Sequence, residues 1–189
     1  MPDTKLFVIS GPSGVGKDTI ISHLKSRDKG WFFLITATTR IIRDGERDGK
    51  DYLFLTDQQF QAMLERNQFI ENAEVYGNKY GVPASQIDIA KQSLRQAILK
   101  IDVQGALTIK SKFDDAILIF VKPANMDQLN SRLTNRASEN ISEQEDRIAK
   151  ASHEMEQIEH FDYIVTNNDD QIVESVDLID KIISSYSTK

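Results

Sequence analysis

The chain has 189 residues, 40% of them hydrophobic, and 23 Lys plus Arg against 29 Asp plus Glu give a net charge of −6. That length supports one sizeable core in a single domain, and the acidic balance argues against a general nucleic-acid binder, which is usually basic. The absence of cysteine excludes disulfides and thiolate chemistry and fits a reducing cytoplasm. No apolar run approaches the ~20 residues that span a membrane, and the opening MPDTKLFVIS lacks a signal peptide's charged-then-apolar order.

Lys5–Ser10 is a short apolar run, followed at once by Gly11-Pro12-Ser13-Gly14-Val15-Gly16-Lys17. This order predicts a strand, a tight loop and a helix with Ile20, Ile21 and Leu24 on one face. Trp31–Ala37 is a second strand candidate, and Thr38–Lys50 is a polar loop rich in Arg and Gly. Tyr52–Leu55 reads as a short strand, and Asp57 as the N-cap of a helix carrying Phe60, Met63 and Leu64. Phe69–Val75 alternates like a strand, and Tyr76-Gly77-Asn78 is turn chemistry. Ala84–Gln92 suggests a helix. Gln96–Val103 and Ala116–Val121 are rich in Ile, Leu and Val, as strands of a buried parallel sheet are. Asp127–Arg136 and Ser142–Glu159 have helical spacing, Asp162–Val165 is a last short strand, and Gln171–Ser184 is a closing amphipathic helix. Strands alternating with helices indicate a doubly wound α/β fold. The stretch from Thr36 to Tyr80 breaks that rhythm, as an inserted substrate-binding region would.

The spacing Gly11-x-x-x-x-Gly16-Lys17, after a strand and before a helix, fits a P-loop. Glycines let the backbone N–H groups of Gly11, Pro12's neighbour Ser13, Gly14, Val15 and Gly16 turn towards phosphates, and the helix adds its positive end. Lys17 then reaches the β- and γ-phosphates of ATP as a compact charge. The residue after the lysine is usually Ser or Thr, whose hydroxyl meets Mg²⁺; here it is Asp18, followed by Thr19. Asp18 suits two roles: an oxygen ligand for Mg²⁺ or a first-turn helix acid.

Downstream, Arg40 and Arg43 are spaced to converge on one anion if the loop curls, and guanidinium forks grip phosphate. Tyr52 and Tyr80 can each donate a phenolic hydrogen bond to it. Glu71, in an otherwise apolar stretch, can accept from the N1–H and N2–H donors of guanine, a pair that adenine lacks. By charge alone the same segment also reads as a solvated surface loop. His23, His153 and His160 have no metal-ligand or triad spacing.

Over nearly its whole length the sequence resembles guanylate kinases. The matching stretches are Gly11–Lys17, Thr38–Tyr52 (TTRIIRDGERDGKDY), Phe69–Glu71, Gly77–Gly81 (GNKYG), Ile101–Ala106 (IDVQGA), Arg132 with Arg136, Arg147, and Asn168-Asp169-Asp170. The resemblance implies a P-loop core (1–34, 82–125 and 151–189), a GMP-binding insertion (35–81) and a helical lid (126–150) in one domain. It implies that Thr36, Arg40, Arg43, Tyr52, Glu71 and Tyr80 bind GMP, with Thr36 and Glu71 at the base. It implies that Asn168 approaches the adenine of ATP and that Asp102 faces the transfer site, where Asp102 and Asp18 are candidate Mg²⁺ contacts. Lys17, Arg132, Arg136, Arg147 and Asp102 form the implied catalytic set. The implied activity is transfer of the γ-phosphate of ATP to GMP or dGMP, in the cytoplasm, with small-molecule partners and neither nucleic acid nor membrane.

Three residues depart from the family pattern. Asp18 replaces the hydroxyl residue, Lys100 replaces the acid usually found two positions before Asp102, and Val82 replaces the Ser or Thr usually found after Tyr80-Gly81. The Lys-Asp-Thr and Tyr-Gly-Val forms are also similar to ribose 1,5-bisphosphate phosphokinases, which lack the full TTRxxRxGExxGxDY run retained here. Two alternatives therefore stay open: a related kinase with another acceptor, and a GMP-binding module with weakened catalysis. The opposite charge changes at Asp18 and Lys100 suggest that each compensates the other.

Overall fold

The computed structural model describes residues 4–75, 77–127, 129, 141–168 and 171–186, with the backbone alone for 141–145 and 147. Its central strand, β1 (Leu6–Ser10), is buried along its full length. Successive strand side chains point to opposite faces, so Phe7 and Ile9 enter one core cluster and Leu6 and Val8 the other. With β2 (Phe32–Phe33), β7 (Ala97–Lys100), β8 (Ile117–Pro123) and β9 (Tyr163–Asn167), β1 forms a parallel sheet in the order β2-β7-β1-β8-β9. Helix α1 (Lys17–Ser26) and helix α6 (Ile172–Ser185) cover the Phe7 face through Ile20, Leu24, Val176, Ile179 and Ile183. Helix α3 (Ala84–Gln92) and helix α4 (Val103–Lys112) cover the other face through Ile87, Ala90, Val103, Ala106 and Ile109. Apolar strands covered on both sides by helices are the doubly wound α/β architecture that the sequence predicts.

A second, smaller sheet lies beside the parallel one, and its Val82 and Ile70 pack into the core cluster of Leu6 and Val8. Its order is β4-β3-β6-β5, built from β3 (Ala37–Thr38), β4 (Leu53–Phe54), β5 (Phe69–Val75) and β6 (Asn78–Pro83). β5 and β6 pair as an antiparallel hairpin with a bulge between Phe69 and Glu71. Close packing ties the hairpin to helix α2 (Asp57–Glu65): Phe69 stacks on Phe60 at 4.5 Å between ring centroids. On its other side Phe69 lies so near Gly81 that a Cβ there would come within 2.6 Å of the ring. Helix α5 (Ile141–Glu156) runs into a 3₁₀ turn (Gln157–His160) whose following Phe161 meets Phe120 edge-on at 4.9 Å.

The elements differ from the sequence expectation in several places; β6, for one, begins at Asn78, where turn chemistry is expected, and no strand is predicted over its length. The run Trp31–Ala37 is not one strand: Phe32–Phe33 joins the core sheet and Ala37–Thr38 joins the insertion. The chain changes sheets inside a run whose one polar residue is Thr36, a break too slight for periodicity to reveal. Thr56, rather than Asp57, caps α2; its side chain accepts from Gln59 N–H while Gln59 reaches back to the Thr56 N–H, a capping box. The strand expected to reach Val103 ends at Lys100, and Asp102 starts α4 as its N-cap, accepting from Gly105 N–H at 2.8 Å. The expected Asp127–Arg136 helix falls largely outside the described residues. Among the described residues no helix is long and apolar enough to cross a membrane.

Candidate active site

The phosphate loop follows β1 directly. Gly11 has φ +141°, and a Cβ there would meet the carbonyl oxygen of Val121 at 2.1 Å, so no larger residue fits beside β8. Gly16, at φ +99°, caps α1 without a side-chain bond, and a Cβ there would meet Asn167 Nδ2 at 2.7 Å. The first N–H groups of α1 therefore lack a side-chain cap and suit an anion. Lys17 is folded back onto this loop, its Nζ donating to the carbonyls of Gly11 at 2.5 Å and Pro12 at 2.9 Å. Burial pushes its pKa down to about 8, against the pull of the Glu154 and Asp18 carboxylates.

Glu154, near the end of α5, is 3% exposed, and its Oε2 accepts from Ser13 N–H at 3.3 Å. A carboxylate thus stands at a donor that a phosphate would use. Burial holds the Glu154 carboxyl above the ordinary range although Lys17 works in the other direction. Asn167, at the end of β9, donates from Nδ2 to Val15 O at 2.8 Å and is itself fixed by Ser175 Oγ of α6 at 3.1 Å. That relay pins the loop to the sheet's edge.

A cavity of about 650 Å³ joins this loop to the inserted sheet. Thr36, Tyr52, Glu71, Tyr80 and Val82 line it, together with Lys17, Asp18, Lys100 and Asp102. Glu71 is 6% exposed, and burial raises its pKa to about 7; the Asp102 carboxylate adds to this and Lys112 opposes it. The rings of Tyr52 and Tyr80 meet edge-on at 6.4 Å. Arg40 lies beside them, over the Tyr52 ring at 5.5 Å, and its Nη2 donates to both oxygens of Glu46 at 2.7 and 3.0 Å. The backbone N–H of Arg43 donates to the same Glu46 at 2.8 Å, which curls the loop around that carboxylate.

Between the two halves, Lys100 pairs with Asp18 and donates to the Tyr52 hydroxyl at 3.1 Å. Burial works to lower the Lys100 pKa, but the charges of Asp18 and Tyr52 and their hydrogen bonds hold it above the usual lysine range. The two departures of opposite charge are thus in direct contact. Asp102 faces the same space, with Lys150 of α5 at 3.9 Å from its Oδ2.

The structure brings most of the sequence-selected residues to this cavity and leaves some outside it. Gly11, Ser13, Gly14, Gly16, Lys17, Asp18, Thr19, Thr36, Tyr52, Glu71, Tyr80 and Asp102 line it. Pro12 and Val15 shape the loop from behind, joined by a Val15 N–H to Pro12 O bond of 3.3 Å. Arg40 lies at the side of the cavity behind Tyr52, and Arg43 is exposed. Asn168 bonds Gln171 at 2.9 Å and does not line the cavity, whereas its neighbour Asn167 does. Arg132 and Arg136 lie outside the described residues, and for Arg147 the description stops at the backbone of α5. Glu154, Lys150 and Asn167 are lining residues that sequence reasoning missed. Lys150 and Glu154 are four apart on a charged helix, the spacing of an ordinary surface pair. For Asn167, the available signal is its place at a strand's C-terminal end.

Among the described residues no group of three or more His, Cys, Asp or Glu forms a protein cage for a metal. Mg²⁺ that arrives with a triphosphate needs only one or two protein oxygens, and Asp18, Thr19 and Asp102 around Lys17 fit that demand.

A parallel sheet with a glycine loop at the C-terminal end of its central strand, closed by a half-buried lysine, defines an α/β protein of the P-loop class. Comparison with known proteins narrows this. The family model described as guanylate kinase matches residues 3–186, and the chain belongs to that family. It is 38% identical to guanylate kinase of Halalkalibacterium halodurans over 97% of this chain and 89% of that protein. It is also 38% identical to guanylate kinase 2, chloroplastic/mitochondrial, of Oryza sativa subsp. japonica, over 100% of this chain but 66% of that longer protein. Among solved structures, guanylate kinase from Anaplasma phagocytophilum superposes with a TM-score of 0.80 at 29% identity, covering 98% of this chain and 87% of that one.

Proposed function

We propose that this chain transfers the γ-phosphate of ATP to GMP, giving ADP and GDP, as a cytoplasmic enzyme of purine nucleotide metabolism. The observation that carries this reading is the single cavity in which Lys17 of the phosphate loop and Glu71 of the insertion face a common space. ATP lies along Gly11–Thr19, with Asn167 or Asn168 towards its base. GMP lies under the inserted sheet, its base on Thr36 and Glu71 and its phosphate on Tyr52, Tyr80, Arg40 and Arg43. The inserted segment 35–81 serves as the acceptor module, 126–150 as the lid, and the remainder as the core.

In the transfer, the bond from the γ-phosphorus to the β,γ-bridging oxygen breaks and a new bond forms from that phosphorus to an oxygen of the GMP phosphate. ADP leaves with the electron pair. The attacking oxygen is already anionic near neutral pH, so no general base is required. Catalysis is positioning and charge cancellation. Lys17 and the lid arginines Arg132, Arg136 and Arg147 supply positive charge to the transferring group, while Asp102 orders the start of α4 and faces Lys150. Asp18, Thr19 and Asp102 would hold the Mg²⁺ that arrives with ATP, which would supply positive charge against the triphosphate. Closure of the lid excludes water and suppresses hydrolysis.

The test is a coupled ADP-release assay with MgATP and a panel of GMP, dGMP, AMP, UMP and ribose 1,5-bisphosphate. Turnover with GMP and dGMP well above the rest is the expected result. Turnover with ribose 1,5-bisphosphate alone would transfer the acceptor assignment to the sister group. GMP binding without turnover would make the chain a binding module.

A further inference from the structure

Lys100 has no part in the roles assigned above, yet its ammonium occupies the seam of the cavity. It contacts Asp18 on the donor side and the Tyr52 hydroxyl on the acceptor side, and it lies over the Tyr52 ring at 5.1 Å. Its side chain is 24% exposed, and that of its partner Asp18 is 83% exposed. A pair with one partner so open to water contributes little to stability. It does not by itself account for placing a lysine mostly out of water, near enough to Lys17 for the two like charges to repel. Two ammonium groups that converge on one cavity are the arrangement expected where a phosphate is to sit between them. An ammonium also has three N–H donors. Asp18 and Tyr52 take two among the described residues, which leaves one for a phosphate oxygen.

We propose that Lys100 is a further phosphate-binding cation of this enzyme, gripping the acceptor's phosphate monoester together with Tyr52, with Asp18 as the residue that positions it. The inference rests on the reading of the chain as a GMP kinase. It gives Asp18 a function other than metal binding. It also explains why the two unusual residues occur together: a lysine at the end of β7 needs a carboxylate on α1 to aim it. A compact charge on a flexible stem can keep both protein partners while it meets the substrate.

The test compares Lys100→Met and Lys100→Arg with the unaltered chain, varying GMP and ATP separately, alongside equilibrium binding of guanosine and thermal melting. Lys100→Met should lower kcat/KM for GMP by about 10²-fold, chiefly through KM, and leave KM for ATP and guanosine affinity within about threefold. Lys100→Arg should hold GMP kcat/KM within about tenfold of the unaltered chain, because the charge remains. Unaltered GMP kinetics in Lys100→Met overturn the inference, as does a loss of guanosine affinity in parallel with that of GMP, which would mark a change of pocket shape. If the unaltered chain turns over no GMP, the acceptor reading fails first and this inference with it.

Discussion

The donor and acceptor halves of the cavity are built by opposite means. The phosphate loop is a backbone device. Its donors are main-chain N–H groups, its shape is enforced by the carbonyl of Val121 against Gly11 and by Asn167 against Gly16, and its one charged side chain, Lys17, is folded back onto it. The acceptor half is a side-chain device carried on short strands. Glu71, Tyr52, Tyr80 and Arg40 come from β5, the segment before β4, β6 and the loop after β3, and they are ordered by contacts such as Arg40–Glu46. The difference teaches which features of this enzyme tolerate change. A backbone cradle fails when its shape fails, whereas a side-chain pocket can be retuned one residue at a time.

The largest effect should come from the cradle. Lys17→Met should lower kcat by about 10³-fold, the upper range for loss of one preorganised charge contact, with melting temperature retained; steady-state kinetics and a thermal melt check both. Next is the acceptor side. Glu71→Gln should lower kcat/KM for GMP by about 10²-fold, because it replaces a two-oxygen acceptor with an amide that leaves one guanine N–H unpaired. AMP activity should hardly change.

The position of the Glu71 pKa, about 7, adds a pH signature with a defined sign. Protonated Glu71 presents one donor where guanine needs two acceptors, so the ionised form binds GMP. KM for GMP should therefore fall as pH rises through about 7, and the dependence should vanish in Glu71→Gln. A pH profile of KM in the two proteins, flat in both, would contradict the assignment of Glu71 to the base.

Much of the donor half was legible because a P-loop is contiguous: seven residues in order specify loop, helix start and lysine. The residues that hold it were not. Glu154 lies 141 positions from Ser13, with which it bonds, and no local pattern joins them. Asn167 was passed over for Asn168, one residue away, because only strand register decides which asparagine turns towards the loop. Asp102 was read at the end of a strand but not as a helix cap, because the apolar Ile101 and Val103 around it masked the change of element. In the acceptor half, Glu71 stood out as an acid in an apolar stretch, and the tyrosines as phenolic donors placed by the family resemblance. The split of Trp31–Ala37 between two sheets was invisible because both sheets accept the same apolar residues.

Two smaller effects sharpen the contrast. Exchange of the seam charges, Asp18→Ser with Lys100→Asp, should retain about tenfold more kcat/KM than the product of the single losses, since the two residues touch and non-additivity is expected of contacts. Losses that multiply independently would show that the pair has no joint role. Glu154→Gln should lower KM for ATP by about threefold to tenfold, the scale of one screened like-charge contact, because its carboxylate competes with phosphate for Ser13 N–H. An unchanged or higher KM for ATP would show that Glu154 leaves the cradle at no cost.

The central claim, that the two halves act on one phosphoryl group, is tested most directly by resolving the products after incubation with MgATP and GMP. The account predicts ADP and GDP in equal amounts, with little inorganic phosphate and no ADP when GMP is omitted. ADP accompanied by inorganic phosphate in place of GDP would contradict it, because the donor half would then be working alone.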